Sequence, residues 1–454
     1  MAKLQKVAAS HKSILDAIRA SYTKHIKEKD STLKVNVALS GGCDSMVLLF
    51  ALKQLQVELN LSLKASYIDH GLSKNTLDWQ VLCRKACMGM DIPFETTSIN
   101  IEKIPDLGIE GAARELRYQA LTHLSNGMIV ATAHHENDQA ETLLLQLIRG
   151  AGLKGLAGMP EFDHLKNIWR PMLKVQRQDI ESFALKNHIQ YIEDESNEDI
   201  RFDRNFLRKD ILPKLYKRFP HAAKTISRSA NHIAEGLNLH QSIAEDDSLL
   251  YFSENLRRLN LEMMQNLSQA RVINLVRWWL EKNQQKMPSL KIMQEIYKQI
   301  KTIRKDAQII INISQDTAIR AYKNQLWLVP ITENQKDYEI YWHGESEIIL
   351  PDMSRLLFKK SKGQGISMKK LGTNTIRIQN RKGGERFKPT YNQPTRTLKY
   401  LLQKSKLPPW ERNHLPMLFI EDLLVAVPSF GVDHNYHASS VEDSYQIQWV
   451  KDKI

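Results

Sequence analysis

Ser40-Gly41-Gly42-Cys43-Asp44-Ser45 lies between Lys34–Leu39 (Lys-Val-Asn-Val-Ala-Leu) and an apolar run that begins at Met46. The first segment has the β-branched alternation of a buried strand, and Met46 to Lys53 carries good helix formers. Strand, glycine turn and helix together let backbone N–H groups converge on one point, with the positive end of the helix dipole aimed at it. That is a polyphosphate cradle. The plainer alternative is a flexible turn with Asp44 as a helix cap. The Gly-Lys-Ser/Thr ending of the common P-loop is absent, so a lysine-assisted γ-phosphate transfer is not the expected chemistry. Asp44, a hard oxygen donor beside the cradle, is a candidate magnesium ligand.

Outward from this turn, strands and helices alternate. Lys64–Asp69, Phe94–Ile99 and Met128–Ala133 read as further strands; Thr76–Met90, Gly111–Leu124 and Glu136–Arg149 read as helices. Such alternation predicts an α/β domain with a parallel sheet and helices on both faces. Ligands in such sheets lie at the carboxyl ends of strands, which is where the Ser40 turn, Asp69-His70-Gly71 and Thr132-Ala133-His134-His135 fall. From about His221 to Arg304 the spacing is helical, with an apolar stripe that includes Trp278 and Trp279 and reads as core. Ile309–Pro330 resembles a strand pair. After a polar linker at Thr332–Tyr338, short strands, Gly and Pro punctuation and one helix over Thr395–Ser405 predict a small α+β domain. The expected domains are therefore 1–220, 221–338 and 339–454.

Composition narrows the class. A chain of 454 residues with 42% hydrophobic and 25% charged residues is long enough for several globular cores. The longest apolar run, Met46–Leu52, is too short to span a bilayer, and no signal-peptide pattern opens the chain. Three cysteines (Cys43, Cys83, Cys87) point to a reducing, cytoplasmic setting. Of the net charge of +13, +9 falls in Pro351–Ile454, where 18 basic residues face 9 acidic ones. A solvated basic face would explain that excess, but a polyanion partner explains it better.

Two clusters accompany the cradle. Arg114 and Arg117, three apart, share one helix face and suit an anionic ligand. In Ala133-His134-His135-Glu136-Asn137-Asp138-Gln139-Ala140-Glu141-Thr142, Asp138 and Glu141 share another face near the crevice. The histidine spacing is wrong for a zinc site; a helix-capping cluster and a magnesium and substrate-amine site both remain, the latter fitting better beside the cradle. Further on, Glu193–Asn197 and Arg204-Asn205-x-x-Arg208 form acidic and then basic turns.

In order along the chain, Ser40–Ser45, His70-Gly71-Leu72-Ser73, Ala112-Ala113-Arg114 with Arg117-Tyr118, Ala133–Thr142, Arg149–Gly152, Arg170-Pro171 and Asp194–Asn197 resemble the motifs of tRNA(Ile)-lysidine synthetases, members of the N-type ATP pyrophosphatase superfamily. Arg381–Phe387, Leu398-Lys399 and Pro408–Arg412 resemble that family's C-terminal domain. The likeness covers nearly the whole chain. One departure stands out: the family often has two consecutive Asp after the His pair, where this chain has Asn137-Asp138, which would weaken metal binding if both carboxylates were ligands. Cys43 sits at a variable loop position and is not read as a nucleophile.

The resemblance implies a carbon–nitrogen ligase. ATP would adenylate the 2-carbonyl oxygen of the wobble cytidine in a CAU-anticodon tRNA(Ile), and L-lysine would then attack carbon-2 to form lysidine, releasing AMP and diphosphate. ATP binding would fall to Ser40, Gly41, Gly42, Cys43, Asp44, Ser45, His70 and Gly71. Asp44 and Asp138 would hold Mg2+, Arg114 and Arg117 would meet the α-phosphate, and Glu141 would orient lysine. Arg204, Arg208, Arg381, Lys382, Arg386, Lys388, Arg396, Lys399 and Arg412 are the tRNA-contact candidates, and Trp410 either stacks on a base or fills a small core. The rival readings are a tRNA cytidine thiolase of the same superfamily and a non-catalytic tRNA-binding protein. Whether the chain pairs with a second copy is left open.

Overall fold

The computed structural model describes residues 2–26, 32–69, 76–99, 108–193, 199–251, 258–303, 309–331, 337–389, 394–405 and 407–450. The chain divides into two compact units, Met1–Ile243 and Ala244–Ile454.

The first unit is the alternating domain. Helix α1 (Ala2–His25) precedes β1 (Leu33–Leu39), α2 (Cys43–Gln54), β2 (Leu61–Asp69), α3 (Thr76–Gly89), β3 (Phe94–Ser98), α4 (Gly108–Ser125), β4 (Ile129–Ala131) and α5 (Glu136–Ile148). A short α6 (Leu153–Leu156) leads to the β5–β6 hairpin (Phe162–Asp163, Ile168–Trp169) and α7 (Arg177–Lys186). Then come α8 (Asp203–Phe206), a π-helical turn (Leu207–Ile211), α9 (Leu212–Arg218) and α10 (Ala222–Tyr251), which crosses into the second unit. The sheet order is β3-β2-β1-β4-β6-β5, parallel except for the β5–β6 pair.

With β1 flanked by β2 on one side and β4 on the other, the strand order reverses at β1, and a crevice opens beside its carboxyl end. Helix α2 is apolar on almost every side because it lies inside the unit, with Val47, Leu48, Leu49 and Leu52 fully buried. Each such side chain contributes roughly 1.5–3 kcal/mol by leaving water, so the helix that follows the glycine turn is anchored firmly. One polar residue enters this core. Asn36 of β1 donates to Ser125 Oγ at 2.8 Å and accepts from Ser66 Oγ at 3.0 Å, which ties β1, β2 and the end of α4 together.

In the second unit β7 (Arg258–Asn260), α11 (Leu261–Met264), α12 (Gln269–Lys282) and α13 (Leu290–Thr302) precede β8 (Ile310–Asn312), β9 (Thr317–Tyr322) and β10 (Gln325–Pro330). The stretch expected to hold a strand pair forms three strands, β8, β9 and β10, and β7 from before the helices completes a four-stranded sheet, order β7-β10-β9-β8. Ser268 and Ser289 cap α12 and α13 through their side chains, and both helices bury one face in a core with Ile319 of β9 and Leu326 of β10, to which α12 adds Trp279.

The remainder is β-rich. Strands β11 (Glu339–Trp342), β12 (Glu347–Ile349), β13 (Arg355–Lys362) and β14 (Ile366–Ser367) lead through α14 (Met368–Leu371) to β15 (Ile376–Gln379). Next are β16 (Arg386–Phe387), β17 (Arg396–Thr397), α15 (Leu398–Lys404) and α16 (Pro409–Arg412). The chain closes with β18 (Met417–Ile420), β19 (Leu423–Val427), β20 (Gly431–Val432) and β21 (Asp443–Val450). They form a five-stranded sheet, β11-β15-β18-β19-β20, a four-stranded sheet, β12-β13-β21-β14, and the small β16–β17 ribbon.

Candidate active site at the carboxyl ends of the sheet

The turn after β1 is built by its own serines. Ser40 N–H donates to Ser45 Oγ at 3.2 Å, Gly42 N–H to Ser40 Oγ at 3.4 Å, and Ser45 Oγ to the Gly42 carbonyl at 3.0 Å. Gly41 has φ +79°, a left-handed value that disfavours any side chain, although a Cβ there would meet nothing nearer than 3.7 Å. Its carbonyl accepts from Ile192 N–H at 3.0 Å. Helix α2 starts at Cys43 with no side-chain cap among the described residues. Its first-turn N–H groups and its dipole are therefore available to an anion.

These atoms border a pocket lined by Ser40, Asp44 and Ser45 from the turn, Ile68 from β2, Arg117, Tyr118 and Leu121 from α4, Thr132, Ala133 and His134 after β4, and Asp138 from α5. The carboxyl ends of three parallel strands thus share one crevice, as the sequence predicted. Cys43 is buried, and burial pushes its thiol up to about 12, so no thiolate is offered at neutral pH.

At the start of α5 the backbone N–H of His135 donates to Asp138 Oδ2 at 2.9 Å, and His135 Nδ1 accepts from Asn137 N–H at 3.2 Å. The ring proton therefore sits on Nε2, which lies 3.5 Å from Asp138 Oδ2 and 3.7 Å from Asp44 Oδ2. Gln139 turns away: its amide clamps Met159 N–H and carbonyl at 2.8 and 2.9 Å, beside Gly158, where a Cβ would strike Gln139 Oε1 at 2.7 Å.

Arg204 and Arg208 sit four residues apart on α8 and the π-helical turn. Arg204 donates from Nε to Glu141 Oε2 at 2.7 Å and from Nη2 to Asp138 Oδ1 at 2.9 Å. Arg208 donates from Nε to Glu141 Oε1 at 2.7 Å and from Nη2 to Asp138 Oδ1 at 3.1 Å. Two guanidiniums thus saturate two buried carboxylates. Burial works to raise the Asp138 carboxyl, but His135, Arg204, His134 and Arg208 overcome it and hold the group well below the usual carboxylate range. Burial opposes charge on Arg204 and Arg208 too, and the facing carboxylates still raise both.

Of the ATP-contact expectations, His70 and Gly71 lie outside the described residues, as do Asp194–Asn197, and nothing is described of the Arg114 side chain within α4. Arg117 lies in the pocket lining. Arg204 and Arg208, expected on the tRNA path, point inward to Asp138 and Glu141. In the C-terminal part Lys382, Arg386, Arg396 and Lys399 are exposed and Lys388 is half-buried. Arg381 is drawn onto Glu385 at 3.4 Å and Arg412 onto the Leu407 carbonyl and the Tyr322 hydroxyl, both at 3.0 Å. Trp410 packs edge-on against Tyr322 and Trp327, with ring centroids 6.1 and 5.8 Å apart. Sequence reasoning passed over Arg177, which donates from Nη1 to Asp44 Oδ2 at 3.1 Å. A lone Arg at a helix start carries no motif, so only the fold could bring the two together.

A strand–glycine turn–helix cradle at the reversal point of a parallel sheet, closed by an acid and by arginines, defines a nucleotide-handling enzyme of the PP-loop class, and residues 15–215 match the PP-loop domain model. Residues 259–327 match the TilS substrate binding domain and residues 376–449 the TilS substrate C-terminal domain. The chain belongs to the tRNA(Ile)-lysidine synthase family. It is 35% identical over 428 residues to the tRNA(Ile)-lysidine synthase of Nitrosomonas europaea, covering 93% of each chain. To that of Coxiella burnetii it is 34% identical, covering 94% of this chain and 95% of the relative. A solved TilS C-terminal domain matches at 16% identity and a TM-score of 0.23, covering 26% of this chain and all of that one.

Proposed function

We propose that this enzyme uses ATP to adenylate the 2-carbonyl oxygen of the wobble cytidine in a CAU-anticodon tRNA(Ile), and ligates L-lysine at carbon-2 to give lysidine, AMP and diphosphate. The observation that carries this reading is the uncapped start of α2 beside the Ser40 turn, opening on a crevice lined by three strand ends. The bare N–H groups suit the β,γ-diphosphate as a leaving group, held without a P-loop lysine. Arg117, with Arg114 one turn earlier, is the candidate for charge developing at the α-phosphate.

Among the described residues Asp44 Oδ1 is buried with no hydrogen-bond partner, which fits a hard divalent cation. Mg2+ would be held through that oxygen and, when bound, would screen the diphosphate charge. Asp138 is the second candidate ligand, but both its oxygens already accept hydrogen bonds, so Asp44 is the stronger one.

Glu141 and Asp138, bridged by two arginines, form a charge-balanced site where the ammonium of lysine would replace part of one guanidinium's contacts. The amine must lose a proton before it attacks, since only the neutral form is a nucleophile. Exposed Lys382, Arg386, Arg396 and Lys399 would meet tRNA phosphates. No helix among the described residues is long and apolar enough to cross a membrane. Work on a tRNA substrate supports a cytoplasmic setting.

Labelled lysine incorporation into a CAU-anticodon transcript, run beside tRNA-dependent ATP–diphosphate exchange, tests the proposal. ATP-dependent incorporation is expected. Exchange without lysine incorporation would point to a thiolase-type activation, and neither signal would leave a binding protein.

A further inference from the structure

Resting on the nucleotide and metal reading of the Ser40 turn, we propose that Arg177 is a positioning residue for the reaction: it holds one oxygen of Asp44 so that the other stays open to the divalent cation. Arg177 opens α7 and is itself tethered twice. Its backbone N–H donates to Asn137 Oδ1 at 3.4 Å, and its Nε donates to Glu181 Oε1, one turn along α7, at 2.9 Å. With Nε engaged by Glu181, the planar guanidinium presents Nη1 to Asp44 Oδ2 at 3.1 Å.

The consequence falls on the carboxylate. The outer torsion of an aspartate is broad and nearly two-fold, so nothing intrinsic to Asp44 selects which oxygen faces the turn. Arg177 selects it. Oδ2 carries the guanidinium on one side and lies 3.7 Å from His135 Nε2, while Oδ1 is buried with no hydrogen-bond partner among the described residues. An unmet buried carboxylate oxygen is costly unless something fills the place. A cation there would complete the arrangement, and the pairing on Oδ2 would keep the acid from swinging onto His135.

Asn137 gains a purpose from the same contact. Its amide accepts from Arg177 and donates to the Tyr216 hydroxyl at 3.2 Å, joining α5, α7 and α9.

Calorimetric titration of the full-length protein with ATP, in excess chelator and then with Mg2+, tests the assignment on wild type, Arg177→Gln, Arg177→Lys and the milder Glu181→Gln. We expect metal-free ATP affinity to be unchanged in every variant. The gain in affinity on adding Mg2+ should fall about tenfold in Arg177→Gln, equivalent to about 1.4 kcal/mol, recover in part in Arg177→Lys, and fall less in Glu181→Gln. A full Mg2+ gain in the glutamine variant, or an equal loss with and without metal, overturns the role of Arg177 alone. Absence of any Mg2+ gain in wild type overturns the metal reading and this inference with it.

Discussion

Asp138 shows how one carboxylate is fixed by its surroundings. It accepts from a helix N-terminus and two arginines while a histidine ring stands 3.5 Å away, so its folded pKa lies below the value it has in the unfolded chain. The sign follows. This stabilisation is complete above about pH 4, the unfolded aspartate value, and is lost as pH falls through that value toward the folded one. Replacing Asp138 by Asn should cost roughly 3 kcal/mol at pH 7 in urea unfolding, with the gap to wild type closing below about pH 4. A gap that stays constant from pH 3 to 7 would show the loss to be one of shape rather than charge. At Gly41 the cost is conformational. Gly41→Ala meets only ordinary contacts, none nearer than 3.7 Å, but φ +79°, and should lose about 1–2 kcal/mol, with weaker ATP binding in the same calorimeter.

At the scale of elements, Arg204 on α8 and Arg208 on the π-helical turn, four residues apart, both turn their guanidiniums to α5. Single π turns tend to occur where function depends on them. In the second unit the short helix α16 is held by aromatic and cationic contacts rather than by length. Trp410 wedges against Trp327 and Tyr322, the Arg320 guanidinium lies 5.6 Å from the Trp410 ring centre, and Arg258 covers the face of Trp327 at 3.6 Å. Trp410→Ala should therefore destabilise this unit by about 2–3 kcal/mol, measured by chemical denaturation. Trp410→Phe should leave tRNA affinity within about twofold of wild type, because the indole already stacks on protein. A larger loss would return Trp410 to base stacking.

For the molecule as a whole, positive charge is concentrated where the second unit ends, and its basic residues divide into exposed ones and ones held by the protein itself. Lys382 and Arg386 are exposed, whereas Arg381 and Arg412 are spent on Glu385, Leu407 and Tyr322. Reversing Lys382 and Arg386 to Glu should weaken tRNA binding and shallow the log–log salt dependence by about 0.9 for each phosphate no longer neutralised. Arg381→Gln and Arg412→Gln should leave that slope alone and lower the thermal midpoint instead. A filter-binding series across salt concentrations measures the first effect and a thermal melt the second. An unchanged slope in the double reversal would move the tRNA path elsewhere.

Sequence by itself determined the alternating sheet, because β-branched alternation marks β1, an apolar run of helix formers marks α2 and leucines at helical spacing mark α5, each locally, and it located the cradle at Ser40–Ser45, because glycine geometry and a following helix are neighbours in the chain. It also placed three loops at strand ends, since a parallel sheet puts every such end on the same side. Only tertiary structure decided the partners. Arg204 and Arg208 reach Asp138 and Glu141 across more than sixty residues, Arg177 reaches Asp44 across 133, and β7 joins a sheet whose other strands lie beyond three helices. Ion pairs of this kind depend on where whole elements pack, and packing is settled by the buried apolar faces of the entire unit, not by the few residues around each charge.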